Sequence, residues 1–355
     1  MALLSLPSEV LIHAIQYLDK FKDINALCRT NRLLYQLSNQ HLYHLSAVRG
    51  GFALNWAIRA GRTATVKIYL AHDNVPRKPR FYNRPVFLAA ASRHIEVIEL
   101  LAHRASNLNA RISRWTAMTY AADKGYEDVV RLLLDKDADP LVGNNKYWPD
   151  KGRPLWHAIC NGHEAISKLL IDRGVKLDYP ESNAWTPVSE AARRGQISIV
   201  KLLVEKIGID GHANDRRGIQ ALFWAARAGH RAIVEFFLDI GFDANCREMM
   251  GSTLLEDATW SGDEDTVQFL VSRGADVHGS VDRWHTPLHR AAVLKYPALV
   301  KLFLDEGVDV NIKNESGKTP LMLAYDSSPN ASALARREVI ELLIQHGGKD
   351  PRHPS

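Results

Sequence analysis

The chain has 355 residues, 46% of them hydrophobic and 24% charged, a make-up that excludes disorder throughout. Its apolar runs stay near six residues, as from Val86 to Ala91, where a spanning helix needs about twenty, so a transmembrane reading fails. Net charge is +5, but residues 48–115 hold twelve Lys/Arg against three Asp/Glu, a local +9 that leaves −4 for the rest. Such an asymmetry speaks about partners and says nothing of fold. The three cysteines, Cys28, Cys160 and Cys246, stand more than 80 residues apart, too sparse for a disulfide framework. They suit a reducing compartment, so the expected location is cytoplasmic and/or nuclear. The first fifteen residues include Pro7 and Glu9 and no basic stretch, which argues against a secretory leader.

In chain order, Leu6-Pro7-Ser8-Glu9-Val10-Leu11 leads into Ile12, Ile15, Tyr17 and Leu18, a short amphipathic helix opened by proline. A polar connection from Asp19 to Asp23 precedes a second helical pattern, Ile24, Leu27, Leu33, Leu34 and Leu37, and Leu42-Tyr43 closes the segment. Residues 1–47 therefore predict two or three short helices. So small a core is marginal alone, so the segment must pack on the adjoining part of the chain or be completed by a partner.

From Val48 a unit recurs. It opens with Thr-Pro-Leu or a variant, continues with a pair of small residues and a glycine, and ends in an Ile/Val–x–x–Leu–Leu stripe. The third residue of the opening falls at Leu54, Val86, Met118, Leu155, Val188, Leu222, Leu255, Leu288 and Leu321, a period near 33. Threonine before proline suits a helix start, because its hydroxyl can cap orphan amides and proline loses no needed donor at the first helical position. Pairs such as Ala121-Ala122, Ala191-Ala192, Ala225-Ala226 and Ala291-Ala292 let neighbouring helices approach closely. Gly125, Gly162, Gly195, Gly229 and Gly262 end the first helix, and Gly174, Gly241, Gly274 and Gly307 end the second. Stripes such as Val129, Val130, Leu132, Leu133 or Ile233, Val234, Phe237, Leu238 place the second helix. Each unit has an apolar face that only stacking can bury.

Some units depart from the pattern. Arg93 and Lys295 replace the mid-repeat glycine, at about 1 kcal/mol each if φ stays positive. Extra residues enlarge the loop at 144–150 and lengthen the last unit near 327–335, so its first helix is expected to be frayed or interrupted. The first unit is degenerate, as terminal units tend to be.

The repeat, for instance Thr286-Pro287-Leu288-His289-Arg290-Ala291-Ala292, resembles the ankyrin repeat over residues 48–349. Residues 1–47 resemble an F-box, on Leu6-Pro7-Ser8-Glu9-Val10-Leu11 with Ile15, Leu18, Asp23-Ile24 and Leu27; a tryptophan often found near the end of an F-box is absent. The order of the two resembles F-box and ankyrin-repeat proteins of filamentous fungi. The implied architecture is all-α: an F-box-like module (1–47), a solenoid of about nine helix-turn-helix repeats (48–349) and a polar tail (350–355). The F-box resemblance implies that Leu6, Pro7, Val10, Leu11, Ile15 and Leu18 face a Skp-type adaptor and so a cullin–RING ubiquitin ligase. The other reading of residues 1–47 is a helical cap on the first repeat, leaving a scaffold without ligase attachment.

Catalytic and metal chemistry find no carrier. His157, Cys160 and His163 have ligand-like spacing, but His163 follows Gly162 as His230 follows Gly229, which is the repeat's own pattern. His289 is likewise the repeat's fourth residue. No nucleophile, base and orienting group can be nominated together. The expectation is a non-enzyme without cofactor.

A protein client is the expected ligand. Contacts in such stacks come from the residues after each small pair and from loop tips. The first set is Arg59, Asp123, Lys124, Asn161, Arg193, Arg194, Arg227 and Trp260; the second is Trp115, Tyr147, Trp148, Trp185 and Trp284. Arg and aromatic side chains dominate interface energetics, each at roughly 2 kcal/mol or more where they are hot spots. Trp260, with Arg227 one unit earlier and Arg193 and Arg194 one before that, is the sharpest candidate. Arg77, Lys78, Arg80 and Arg84 around Phe81 and Tyr82 could grip nucleic acid, though such a run is more often a solvated loop or a dock for an acidic peptide.

Overall fold

The computed structural model of the chain describes residues 52–71, 80–105, 107–112, 115–142, 153–177, 186–211, 215–248, 251–279, 286–325 and 333–349. The F-box-like segment, with Leu6, Pro7, Val10, Leu11, Ile15 and Leu18, lies outside them. So do the loop-tip aromatics Tyr147, Trp148, Trp185 and Trp284.

The chain divides into two compact units, residues 1–161 and 162–355. The first contains α1 (Phe52–Arg59), α2 (Thr63–Ala71), α3 (Arg80–Ala91), α4 (Ile95–Ala102), α5 (Ala117–Lys124), α6 (Glu127–Asp135) and α7 (Pro154–Cys160). The second contains α8 (Glu164–Asp172), α9 (Pro187–Arg193), α10 (Ile197–Ile207), α11 (Arg216–Arg227), α12 (Arg231–Asp239) and α13 (Leu254–Ser261). It continues through α14 (Glu264–Ser272), α15 (Pro287–Leu294), α16 (Pro297–Asp305), α17 (Pro320–Tyr325) and α18 (Ala333–Gln345). Among the described residues the only β pairing is two isolated bridges, Ile112 with Trp115 and Arg247 with Thr253.

Within each unit the helices form two layers. In the first, α1, α3, α5 and α7 pack in succession, and α2, α4 and α6 do the same behind them. In the second, α9, α11, α13, α15 and α17 make one layer and α8, α10, α12, α14, α16 and α18 the other. The small residues explain the closeness of the first-helix layers: Ala121, Ala122, Ala191, Ala192, Ala225, Ala226, Ala291 and Ala292 are fully buried. The apolar stripes fill the space between layers, with Phe237 and Phe303 wholly removed from water. Burial of side chains that size contributes about 1.5–3 kcal/mol each.

The threonines cap as their position predicts. Thr186 Oγ1 accepts from the Ser189 amide at 3.2 Å while Ser189 Oγ accepts from the Thr186 amide at 2.9 Å. Thr253 and Glu256 make the same reciprocal pair. Each cap is worth about 1 kcal/mol. Thr286 differs: its hydroxyl bonds His289 Nδ1 at 2.9 Å and leaves the helix amides uncapped. His289 Nε2 in turn donates to the Lys318 carbonyl of the next repeat at 3.0 Å.

Two positions show why the first helix ends where it does. Gly195 has φ +75°, and the His230 ring lies 2.9 Å from where its Cβ would stand. That ring donates from Nε2 to the Arg193 carbonyl at 3.0 Å, so the glycine serves both the turn and the inter-repeat contact. Lys295, which has a side chain at the same turn, keeps φ at +61°. Its buried ammonium donates to the carbonyls of Ala292, Leu323 and Ala324 at 3.2, 3.2 and 2.8 Å, closing the ends of α15 and α17. The strain expected from the sequence is present, and charged hydrogen bonds offset it. Arg93 (φ +56°) reaches outward to Asp128 at 3.0 Å and over the Tyr126 ring. In the last repeat α17 is described over Pro320–Tyr325, and most of the expected interruption at 327–335 lies outside the described residues.

Candidate functional site

The first-helix face of the second unit is built on buried carboxylates. Glu190 sits on α9 beside the Ala191-Ala192 pair, where close packing takes it to 1% exposure. Arg193 Nη2 and Nε donate to its two oxygens at 2.6 and 3.0 Å, and Arg194 Nε donates at 2.8 Å. On the next two first helices, Arg227 Nη2 donates to Asp257 Oδ1 at 3.0 Å. Asp257 is as deeply buried as Glu190 because it precedes the small residue Ala258. Burial pushes the Asp257 carboxyl above its usual range, and the Arg227 and Arg290 charges offset this only in part. The same burial pulls the Arg290 guanidinium down, against the pull of Asp257 and Glu256.

Above these acids stand cations and one indole. The side chains of Arg193, Arg194 and Arg227 are 33%, 41% and 41% exposed, whereas Glu190 and Asp257 are at 1% and 2%. Among the described residues of this cluster the counter-charges therefore lie beneath the guanidiniums, and the charged groups that reach water are cationic. Arg227 lies over the Trp224 ring at 5.5 Å, and Arg290 over the Trp260 ring at 4.8 Å. Trp260 is 48% exposed and is held on one side by that guanidinium. Arg193 and Arg194 are thus fixed by an acid of their own helix, and Arg227 and Trp260 by a charge one repeat away.

The first unit uses equivalent positions differently. Asp123, on α5, accepts from His157 Nδ1 at 3.2 Å and Asn161 Nδ2 at 3.1 Å, and pairs with Lys124 at 3.1 Å. Burial raises the Asp123 pKa, but the Lys124 ammonium, His157 and Asn161 outweigh it and hold the carboxyl below its ordinary value. Burial pulls the His157 pKa below its ordinary value, against the opposing pull of Asp123. Trp115 lies 4.9 Å from the His157 ring and 6.0 Å, edge-on, from Tyr120. Its backbone bridges to Ile112, so this indole ties a loop to α5 and α7. Arg59 ends α1 with its side chain exposed and its carbonyl taken by His94 Nε2, and the neighbouring Trp56 is exposed too.

Of the expected client residues, Arg193, Arg194, Arg227 and Trp260 share one face of the second unit. Asp123, Asn161, Lys124 and Trp115 gather around His157 in the first. Arg77 and Lys78 lie outside the described residues. The sequence reading missed Glu190, Trp224, Asp257 and Arg290. A signal existed for one of them, an acid placed 30 residues after Arg227 and just before the small position. It also missed the loop clips: Asn245 Oδ1 accepts from the Asp276 amide and Asn311 Oδ1 from the Lys349 amide, at 2.8 and 2.9 Å. Those asparagines stand two periods apart, which was legible. Among the described residues no group of three or more His, Cys, Asp or Glu could hold a metal ion. None of the described helices is long and apolar enough to cross a membrane.

The chain is 32% identical to a transient receptor potential cation channel subfamily A member 1 homolog of Caenorhabditis elegans over 178 residues, 50% of this chain and 15% of that protein. It is 26% identical to mouse ankyrin repeat and SOCS box protein 16 over 258 residues, 70% of this chain and 55% of that one. It is 29% identical over 184 residues to palmitoyltransferase AKR1 of Lachancea kluyveri, 50% of this chain and 25% of that enzyme. The chain thus spans from 15% to 55% of the length of these relatives. A family profile for ankyrin repeats matches residues 54–144, 141–215, 207–281 and 277–354. With paired helices in two layers, capped threonines and glycine turns beneath the same stretch, the chain belongs to the ankyrin-repeat family.

Proposed function

We propose that this chain is a protein–protein interaction adaptor that holds a protein client on the first-helix face of its repeats. Through residues 1–47 it docks a Skp-type adaptor of a cullin–RING ubiquitin ligase. The observation that carries the client half is Trp260, half exposed on a face whose neighbouring small residues and acids are buried. A large aromatic held rigidly in the open is what an interface anchor requires, since little rotamer freedom is lost on binding. The ligase half is supported by the Leu6-Pro7-Ser8-Glu9-Val10-Leu11 opening and by the mouse relative, whose name pairs an ankyrin array with a second box module. The work would be proximity: the ligase supplies the chemistry and this chain supplies effective concentration. The match to the palmitoyltransferase covers a quarter of that enzyme.

The test is a pull-down of the full chain with purified Skp-type adaptor, wild type against Leu6→Asp/Leu11→Asp. Loss of capture with the array's helical signal and melting unchanged supports ligase attachment. A variant that captures as well as wild type, or a wild type that captures nothing, leaves a scaffold whose N-terminal helices serve as a cap. The missing tryptophan near Leu42-Tyr43 is the observation that favours that second reading.

A further inference from the structure

We infer that the first-helix face of the second unit takes an extended acidic segment of its partner, with carboxylates about three residues apart followed by an aromatic or large aliphatic side chain. This rests on the client-binding reading above and narrows it to a ligand chemistry.

The charge layering comes first. Counting Glu190, Glu256 and Asp257 against Arg193, Arg194, Arg227 and Arg290 leaves the cluster one charge positive, and the negative members are the ones water does not reach. A partner approaching this face meets guanidinium edges before it meets carboxylates. Arg194 and Arg227 each have more donors than their ion pair uses: Arg194 gives Glu190 its Nε, and Arg227 gives Asp257 one Nη. A planar guanidinium anchored at one edge is pre-set to offer another edge to a second carboxylate, with little side-chain entropy left to lose.

Spacing comes second. Arg193 and Arg194 close α9, Arg227 closes α11, Trp260 lies on α13 and Arg290 on α15, so the cationic and aromatic groups step across adjacent packed helices. Packed helix axes are about 8–10 Å apart, and an extended peptide advances about 3.3 Å per residue. One anchor is therefore met roughly every three residues. The order along the face is cation, cation, indole, which sets the order of the ligand: acid, acid, apolar. The indole's far side is stacked by Arg290, which polarises it and fixes its plane, leaving its open side for an apolar or aromatic side chain. A single-stranded nucleic acid fits less well: it needs aromatic rings under successive bases, and the anchors of this face include one exposed indole.

The test is selection from a random peptide library on the immobilised full chain, run beside Trp260→Ala and Arg194→Gln. Both side chains are substantially exposed, and Arg193 still covers Glu190 in the second, so both variants are expected to fold; melting curves check this. Expected is enrichment of Asp or Glu at positions i and i+3 with an aromatic or aliphatic residue near i+6. Affinity for a synthetic peptide of that pattern should fall about 30-fold in Trp260→Ala, a hot-spot loss of about 2 kcal/mol. In Arg194→Gln it should fall several-fold, with a weaker salt dependence. Enriched peptides without acidic excess, or with equal affinity for all three proteins, overturn this inference and leave the adaptor reading standing. Enrichment of nothing overturns both, and tighter capture of single-stranded DNA than of the acidic peptide replaces the proposed ligand with a nucleic acid.

Discussion

Acids and indoles at neighbouring positions of the repeat do opposite things in the two units. In the first, Asp123 is saturated from within, by His157, Asn161 and Lys124, and Trp115 is wedged between His157 and Tyr120. In the second, the acids sink below the surface and draw arginines over themselves, and Trp260 stays in the open. The difference lies in one register position. Glu190 precedes the small pair and is pulled into the first-helix packing, whereas Asp123 follows its pair and stays half-buried. A shift along the helix turns a carboxylate from a partner of neighbouring polar groups into a buried anchor for exposed cations.

The largest test of that contrast removes the cations. Arg193→Ala/Arg194→Ala takes three charged hydrogen bonds from buried Glu190, and removing one side of a buried ion pair costs about 3–5 kcal/mol. Denaturant unfolding should show a loss of at least about 3 kcal/mol in the second unit. Adding Glu190→Gln should recover most of it. If the double variant loses less than about 1 kcal/mol, as an exposed pair would, the acid is not an anchor and the contrast between the units collapses.

Next come the two side chains at glycine turns, one in each unit. Lys295→Met keeps the positive φ but strips three carbonyls of their charged donor, so a loss of about 2 kcal/mol is expected. Arg93→Gly relaxes the turn and gives up an exposed ion pair to Asp128 and an exposed contact over the Tyr126 ring, each worth under about 1 kcal/mol. Its melting temperature should hold or rise. Equal losses in both would mean that neither side chain compensates its backbone.

What the sequence could disclose depends on distance along the chain. The 33-residue period, the capping threonines and the turn glycines are local patterns, and helices stand where they predict. The candidate arginines and Trp260 were legible because each follows a small pair by one or two residues. Their counter-charges were harder to read: Glu190 and Asp257 each stand just before a small position, but that place buries a carboxylate only once the first helices pack, and Arg290 meets Trp260 only across a repeat. Lys295 looked like a cost for the same reason, its acceptors lying in the next repeat as well as its own helix. Thr286 looked like a cap, and the neighbouring histidine took its hydroxyl.

The smallest expected effect is a difference in sign between the units as pH falls. Burial lowers the His157 pKa below its ordinary 6.5, so on acidification the unfolded chain takes up a proton before the folded one does. Stability is lost to the state that binds more protons, and here that is the unfolded state. The first unit should therefore weaken as pH drops through about 6.5, in the window where Asp123, held below its ordinary 3.8, stays ionised. Asp257 runs the other way: its folded pKa is raised above 3.8, so its contribution is fully present at low pH and is lost as pH rises through the folded value. Hydrogen exchange at about pH 7 and about pH 5, on either side of the histidine's ordinary pKa, resolves the units. Amides of α5 and α7 should lose protection that those of α11 and α13 keep. His157→Gln, which can still donate to Asp123, should flatten the first unit's response and leave the second unchanged. A pH response that survives His157→Gln would place its origin in another group and remove the histidine from the contrast.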